Sequence, residues 1–103
     1  MLTVTTETIQ GKTLIQLGVV SGSTIQTKNA FHDIGASFKT IVGGELHSYT
    51  SMMEKARSQA MQRMVAAAEA MGADAVVGVR YATSAIMASA AEVLAYGTAV
   101  KFA

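Results

Sequence analysis

Two histidines with carboxylates close by in the sequence are the residues of this chain best suited to bind a metal ion. His32 precedes Asp33, and His47 lies two residues after Glu45. Adjacent residues, and residues two apart, do not face each other on a helix, so neither pair forms a site by itself. A joint site would need His32 and His47 to meet in the folded protein, for example across a subunit boundary. Solvated surface histidines are the ordinary alternative.

Sulfur donors for a soft metal are restricted to methionine, because the chain has seven methionines and no cysteine. Disulfides, thiolate metal sites and cysteine nucleophiles are therefore excluded. Thioethers bind Cu(I), and five methionines cluster in one predicted helix: Met52, Met53, Met61, Met64 and Met71. Three of them follow the apolar stripe of that helix, and methionine is a common gap-filler in cores. We expect packing rather than copper binding.

A glycine pair and two arginines are the candidates for a ligand-binding site. Gly43 and Gly44 precede the main helix, where free backbone N–H groups favour an anion. The pattern at these glycines lacks G-x-G-x-x-G and the Lys-Ser/Thr of a phosphate loop, and a corner between two helices explains the same glycines.

Arg57 is predicted near the buried edge of the long helix, and Arg80 within a strand. An unpaired buried charge is costly, so each guanidinium needs a partner. One interpretation is structural ion pairing, with Asp74 or a neighbouring subunit as the partner of Arg57. The other is a ligand-binding rim with Tyr49 as a neighbouring donor.

No arrangement of residues predicts catalysis. The sequence contains neither a Gly-x-Ser-x-Gly elbow nor an H-E-x-x-H motif, and no pair of carboxylates has a convincing spacing. We therefore predict a protein without enzymatic activity. An enzyme with an interfacial site formed by Arg57, Tyr49 and Arg80 remains the alternative.

The elements that must position these residues form one α+β domain over residues 1–103. Apolar residues at spacings of three and four predict a short helix over residues 30–42 and a long helix from about Glu45 to Met71, ended by Gly72. Alternating patterns predict strands over residues 2–6, 12–20, 75–83 and 92–102. The order β-β-α-α-β-β predicts two layers, with the long helix packed on an antiparallel sheet.

Three details of the strands follow from the same patterns. Ser21-Gly22-Ser23 predicts a turn or bulge after the second strand, and residues 84–90 predict a connection between the last two strands. In the third strand, alternation places Val77, Val79 and Tyr81 on one face. Arg80 then shares the other face with Val76 and Gly78.

Composition predicts self-association. Hydrophobic residues make up 50% of the chain and charged residues only 15%, where about 25% is typical. So few charges leave apolar surface for subunit contacts, and we expect a homo-oligomer. The charged residues are scattered along the chain, and the net charge is only +1. This charge favours neither nucleic acid nor membrane as a partner. A signal-peptide pattern and a membrane-length apolar run are both missing, which predicts a cytoplasmic protein.

The chain resembles the YbjQ-like family of small bacterial proteins, whose domain is described as heavy-metal-binding. The residues that carry the resemblance are Gly18-Val19-Val20-Ser21-Gly22, Ile41-Val42-Gly43-Gly44, Tyr49, Lys55-Ala56-Arg57, Gly72-Ala73-Asp74-Ala75-Val76-Val77-Gly78-Val79 and Gly97-Thr98-Ala99-Val100. The resemblance implies an α+β subunit assembled as a pentameric ring, with no settled enzymatic activity. It also implies a metal ion as cofactor. Soft heavy metals prefer thiolate ligands, and because this chain has none, the sequence gives the metal poor support.

Together these patterns predict a non-enzymatic, ring-forming module that binds a small ligand, ion or partner protein at its subunit interfaces. The alternative is a metal-binding protein that uses His32, His47 or carboxylates.

Overall fold

The computed structural model describes residues 1–27, 47–87 and 90–103, which form one helix packed on a four-stranded mixed sheet. The elements in chain order are β1 (Leu2–Thr3), β2 (Leu14–Thr27), α1 (His47–Ala70), β3 (Ala75–Met87) and β4 (Ala90–Phe102). The predicted α+β class, with a long helix on a sheet, is confirmed. The predicted short helix over residues 30–42 lies outside the described residues.

The sheet has the strand order β1-β3-β4-β2, so the first two strands lie at opposite edges. β4 pairs antiparallel with β2 on one side and with β3 on the other. β1, however, pairs parallel with β3, with Leu2 opposite Ala75. The prediction of a purely antiparallel sheet is therefore wrong. The reason is that β1 and β2 form no hairpin; Val4 and Ile9, between them, pack on the sheet face opposite the helix.

β2 continues without interruption through Gly22, where the sequence predicts a turn or bulge. A Cβ atom at Gly22 would lie 2.3 Å from the backbone nitrogen of Met64 and 2.4 Å from the carbonyl oxygen of Ala60. Glycine is thus required here by the close approach of the helix backbone, not by a turn. Two residues later, the buried Thr24 hydroxyl donates a hydrogen bond of 3.2 Å to the Ala56 carbonyl.

The core between α1 and the sheet is built mainly from alanine and valine. Its buried members are Val20, Ala56, Ala60, Met64, Ala68, Val76, Val79, Val93, Ala95 and Ala99. Met53 and Met61 pack against this cluster, which confirms a packing role for the central methionines of the helix. Met71 is 43% exposed instead of buried, because it lies past the last residue of the helix.

Hydrogen bonds confirm that Gly72 terminates the helix as the C′ residue, just beyond its last helical turn. The Gly72 N–H donates to the Glu69 carbonyl at 2.9 Å and the Ala73 N–H to the Ala68 carbonyl at 3.1 Å, the pairing of a Schellman motif. Lys101 donates to the Gly72 carbonyl at 3.2 Å. Beyond this point β3 and β4 are longer than predicted, so most of residues 84–90 belong to strands rather than to a connection.

Replacing Gly22 with Ala should lower the free energy of unfolding by about 1–3 kcal/mol or more, the usual cost of overpacking a core. The new methyl group meets helix backbone, which cannot rotate away as a side chain can. Urea unfolding followed by circular dichroism measures the change. Ser21→Ala is the matched control, because Ser21 is exposed on the same strand and its change should stay within about 0.5 kcal/mol. Equal stabilities of the two variants would contradict the close helix–strand contact.

Candidate ligand-binding cleft

A bulge in β3 decides which side chains reach the face of the sheet opposite the helix. The β3–β4 register shifts between Val77 and Arg80, and Gly78 has a φ of +63°, a conformation that favours glycine. A bulge inserts one residue and so reverses the alternation of side chains. Val76 and Val79 both pack under the helix, while Val77 belongs to a second cluster.

Two predictions about the faces of β3 are therefore wrong. Val77 does not share a face with Val79, and Arg80 does not share one with Val76. Beyond the bulge, Arg80 lies on the Val77 face, opposite the helix, and Tyr81 lies on the helix side. Strict alternation fails here because the sequence does not reveal that Gly78 is an inserted residue.

A cleft of 490 Å³ lies on this face, between the N-terminal segment, β2 and β3. Its apolar lining is contributed by Leu14, Val77 and Val100, and its other lining residues are Glu7, Gln16, Gly78, Arg80 and Thr98. An apolar wall with a few polar groups is the usual composition of a small-molecule site. The cleft is thus a candidate small-molecule site in the part of the chain that the structure describes.

Arg80 is fixed at this cleft by backbone carbonyls. Its Nη1 atom donates to the carbonyl oxygens of Thr5 and Val79, each at 2.9 Å. The backbone supports the same position, since the Gly78 N–H donates to the Thr6 carbonyl at 2.8 Å. A guanidinium has five N–H donors, and these contacts use only Nη1. Its other donors and its charge suit a carboxylate or phosphate group.

Arg57 lies elsewhere, half-buried on α1. It lines a shallow depression of 370 Å³ together with Glu54 and Tyr81. A neighbouring depression of 340 Å³ includes Arg80 and also reaches Tyr81. Arg57 and Arg80 therefore line different depressions that meet at Tyr81, a residue that the sequence analysis did not select for a site.

Asp74 is not the partner of Arg57. Its carboxylate accepts a hydrogen bond of 2.8 Å from the Phe102 N–H, and so ties the chain after the helix to β4. About 20 Å of helix separates Arg57 from Ala70 at a rise of 1.5 Å per residue.

The other predicted site residues fall where the structure gives no side chains. Gly43, Gly44 and His32 lie outside the described residues. His47 and Tyr49 belong to the first turn of α1, but their side chains are likewise outside the described part, so their proposed roles stay predictions.

Metal ligands are not gathered anywhere in residues 1–27, 47–87 and 90–103: no group of three or more His, Cys, Asp or Glu side chains is placed to hold an ion. The described residues therefore do not fit a metal centre. The same residues contain no helix with the length and apolar character needed to cross a bilayer.

Gln16, Thr98 and Glu7 are cleft residues that the sequence analysis did not select. Gln16 and Thr98 are polar residues within apolar strands, which is a weak signal, since exposed strand positions look the same. Their convergence depends on the pairing of β4 with both β2 and β3. No short-range pattern contains that information.

A helix on one face of a mixed sheet, with a cleft on the other face, defines a small two-layer α+β domain. The chain belongs to the YbjQ family, because all of residues 1–103 match the family model described as "Putative heavy-metal-binding". This confirms the resemblance found in the sequence. The description names a metal for which the described residues provide no ligand cluster.

Close relatives span nearly the same length. A UPF0145 protein of Methanosarcina acetivorans is 56% identical over 102 residues, which cover 98% of this chain and 96% of that protein. A UPF0145 protein of Pseudothermotoga lettingae is 54% identical over 102 residues, with the same coverage of 98% and 96%.

A crystal structure of a DUF74-family protein of unknown function from Pediococcus pentosaceus is similar with a TM-score of 0.70 at 16% identity, and the match covers 100% of this chain and 98% of that one. At this identity the similarity supports the fold alone.

Replacing Arg80 with Met should loosen the N-terminal segment, because the Thr5 carbonyl loses its hydrogen-bond donor. We expect the amide hydrogens of Gly78 and Val79, which bind carbonyls of that segment, to exchange about fivefold faster, since such a bond contributes about 1 kcal/mol. Hydrogen exchange measured by NMR tests this. Arg57→Met removes the same charge from another depression and should leave both amides unchanged. Unchanged exchange in Arg80→Met would show that Arg80 does not hold the segment.

Proposed function

We propose that this protein is a non-enzymatic, ring-forming homo-oligomer that binds a small acidic ligand in the cleft beside Arg80, next to its subunit contacts. The observation that carries the proposal is the position of Arg80: a guanidinium fixed by two carbonyls at a cleft of ligand size. The proposal has two parts, self-association and ligand binding, and they rest on different features.

Self-association is supported by the sheet face opposite the helix. Val19 is 79% exposed and Ile25 57% exposed, and they lie opposite Thr98 and Glu92 in the β2–β4 register. Tyr96, on the same face of β4, is 39% exposed. Exposed apolar residues grouped on one face are typical of interaction surfaces. The low charge content and the ring implied by the family resemblance agree with this interpretation.

The chemistry of the cleft favours a small anion. Arg80 supplies a positive charge, and Gln16 and Thr98 supply neutral hydrogen-bond donors on an apolar wall. Glu7 at the same cleft would suit an amino group on the ligand, as in a zwitterion. Among the lining residues Glu7 could act as a general base, but no histidine, cysteine or lysine accompanies it. Binding without turnover is therefore the simplest role.

Sedimentation and native mass spectrometry of protein purified from cells test both parts. We expect an assembly whose mass is a multiple of the 10.7 kDa chain, five copies if the family resemblance holds, with a small organic anion retained. A particle of one chain's mass at micromolar concentration would contradict the ring. A ring without any retained molecule would contradict the ligand, and stoichiometric metal in elemental analysis would instead favour the metal-binding alternative.

A matched pair of variants distinguishes ligand binding in the cleft from ligand binding elsewhere along β2. Gln16→Leu removes a polar group from the cleft and should lower the occupancy of the retained molecule by about fivefold, the effect of losing roughly 1 kcal/mol of hydrogen bonding. Gln26→Leu makes the same change on the same strand but away from the cleft, and occupancy should not change. Equal occupancy in both variants would place the ligand elsewhere.

A further inference from the structure

We propose that copies of this chain join through their sheet edges: the outer edge of β2 in one copy pairs with the outer edge of β3 in the next. This inference rests on the proposed ring assembly and specifies the contact that builds it. The partner is thus a second copy of the same chain, bound by backbone hydrogen bonds.

Besides the two-residue outer edge of β1, two strand edges are open in the described part of the chain. β2 is the last strand of the sheet and pairs only with β4, so its other edge faces no described strand over all 14 residues. On β3, β1 and the segment after it occupy the outer edge as far as Val79. Residues 81–87 of β3 have no described neighbour on that side. Alternate N–H and C=O groups on such edges point outward. On β2, the Ser23 carbonyl accepts a hydrogen bond from Arg63 of α1.

Within their own sequences, the two edge segments lack the features that normally prevent strand pairing. Proteins protect open edges with charges, prolines or very short strands. The sequence of β2 contains no Asp, Glu, Lys, Arg or Pro, and residues 81–87 contain none either. β2 is also long, since most strands have about five or six residues. An edge of this length without protection fits a strand that is covered in the functional protein.

The exposed side chains near both edges are apolar. Val19 and Ile25 on β2, and Tyr81 and Ile86 on β3, are each exposed by about half or more. Pairing of the two edges would remove part of this surface from water, that of Val19 and Ile25 on the face opposite the helix and that of Tyr81 on the helix side. The backbone and the side chains therefore favour the same contact.

Two different edges on one chain favour a head-to-tail contact. A twofold axis would pair β2 with a second β2 and leave the edge of β3 open. Pairing β2 with β3 uses both edges of every copy, and repeated rotation about one axis closes such a contact into a ring. Because β2 and β3 both run antiparallel to β4, they run in the same direction, and the new pair is parallel.

Cysteine cross-linking tests this contact, because the natural chain has no cysteine. One cysteine is placed on β2, at Val19, Ser21, Ser23 or Ile25, and one on β3, at Ala82 or Ser84, in every combination so that the register is covered. Within one copy β4 lies between β2 and β3. The backbones of β2 and β3 are therefore roughly 9–10 Å apart, which exceeds the roughly 7 Å limit on the Cα–Cα distance of a disulfide. Any disulfide therefore joins two copies.

We expect at least one combination to give, on mild oxidation, a ladder of covalent oligomers up to the ring size on a non-reducing denaturing gel. Each single-cysteine variant should give no covalent product, and Ser21→Cys combined with Ala66→Cys, on the exposed side of α1, should give no ladder. Mixing a β2 variant with a β3 variant should give covalent dimers only.

Three results would overturn the inference, and they are distinguishable. Covalent dimers from a single β2 cysteine would show that β2 pairs with itself. No cross-linked product in any combination, in protein that still sediments as an oligomer, would show that other surfaces join the copies, and the proposed function would survive. If the parent protein is a monomer, both the edge contact and the proposed ring are wrong.

Discussion

The contact between α1 and β2 at Gly22 sets the spacing of the two layers, because helix backbone lies directly against strand backbone there. A Cβ atom there would stand 2.3 Å from the Met64 nitrogen, so the distance between the layers is set by the absence of a side chain. Small residues, Ala56 and Ala60, allow the same approach on the helix. The chain thus gains close packing but little apolar volume, because alanine contributes far less buried surface than leucine or phenylalanine.

Because the core under the helix is thin, the face of the sheet opposite the helix is important for burying further apolar surface. In the described part of the chain, one helix covers one face, and the N-terminal segment covers one end of the other face through Val4 and Ile9. A chain of about 100 residues buries a modest share of its surface even when fully packed. The uncovered face holds both the exposed apolar side chains and the cleft of Arg80. Ligand binding and self-association are therefore expected close together, as neighbouring uses of the same uncovered surface.

Predictions from the sequence were correct for features that depend on neighbouring residues. They were wrong where contacts between distant segments decide the structure. Gly72 was recognisable as a helix end because the helical pattern stops there. Gly22 and Gly78 look equally like turn residues, yet one admits a helix and the other is an inserted bulge residue. Regular alternation holds along β4, where Val93, Ala95 and Ala99 pack under the helix and Val100 lies on the other face. The cleft could not be predicted, because its lining comes from the N-terminal segment and three strands brought together only by the fold.

The family description points to a metal, while the chemistry of the cleft points to an anion. A cation in this cleft would face the charge of Arg80, which its two carbonyl contacts hold in place. Glu7 would be the carboxylate available there, and one carboxylate is a poor ligand set for a heavy metal that prefers sulfur. Met53, Met61 and Met64 pack in the core, so binding a metal through their thioethers would require opening the contact between helix and sheet. For the described residues, the electrostatics of Arg80 and the packing of the methionines therefore both favour an acidic small molecule over a metal ion.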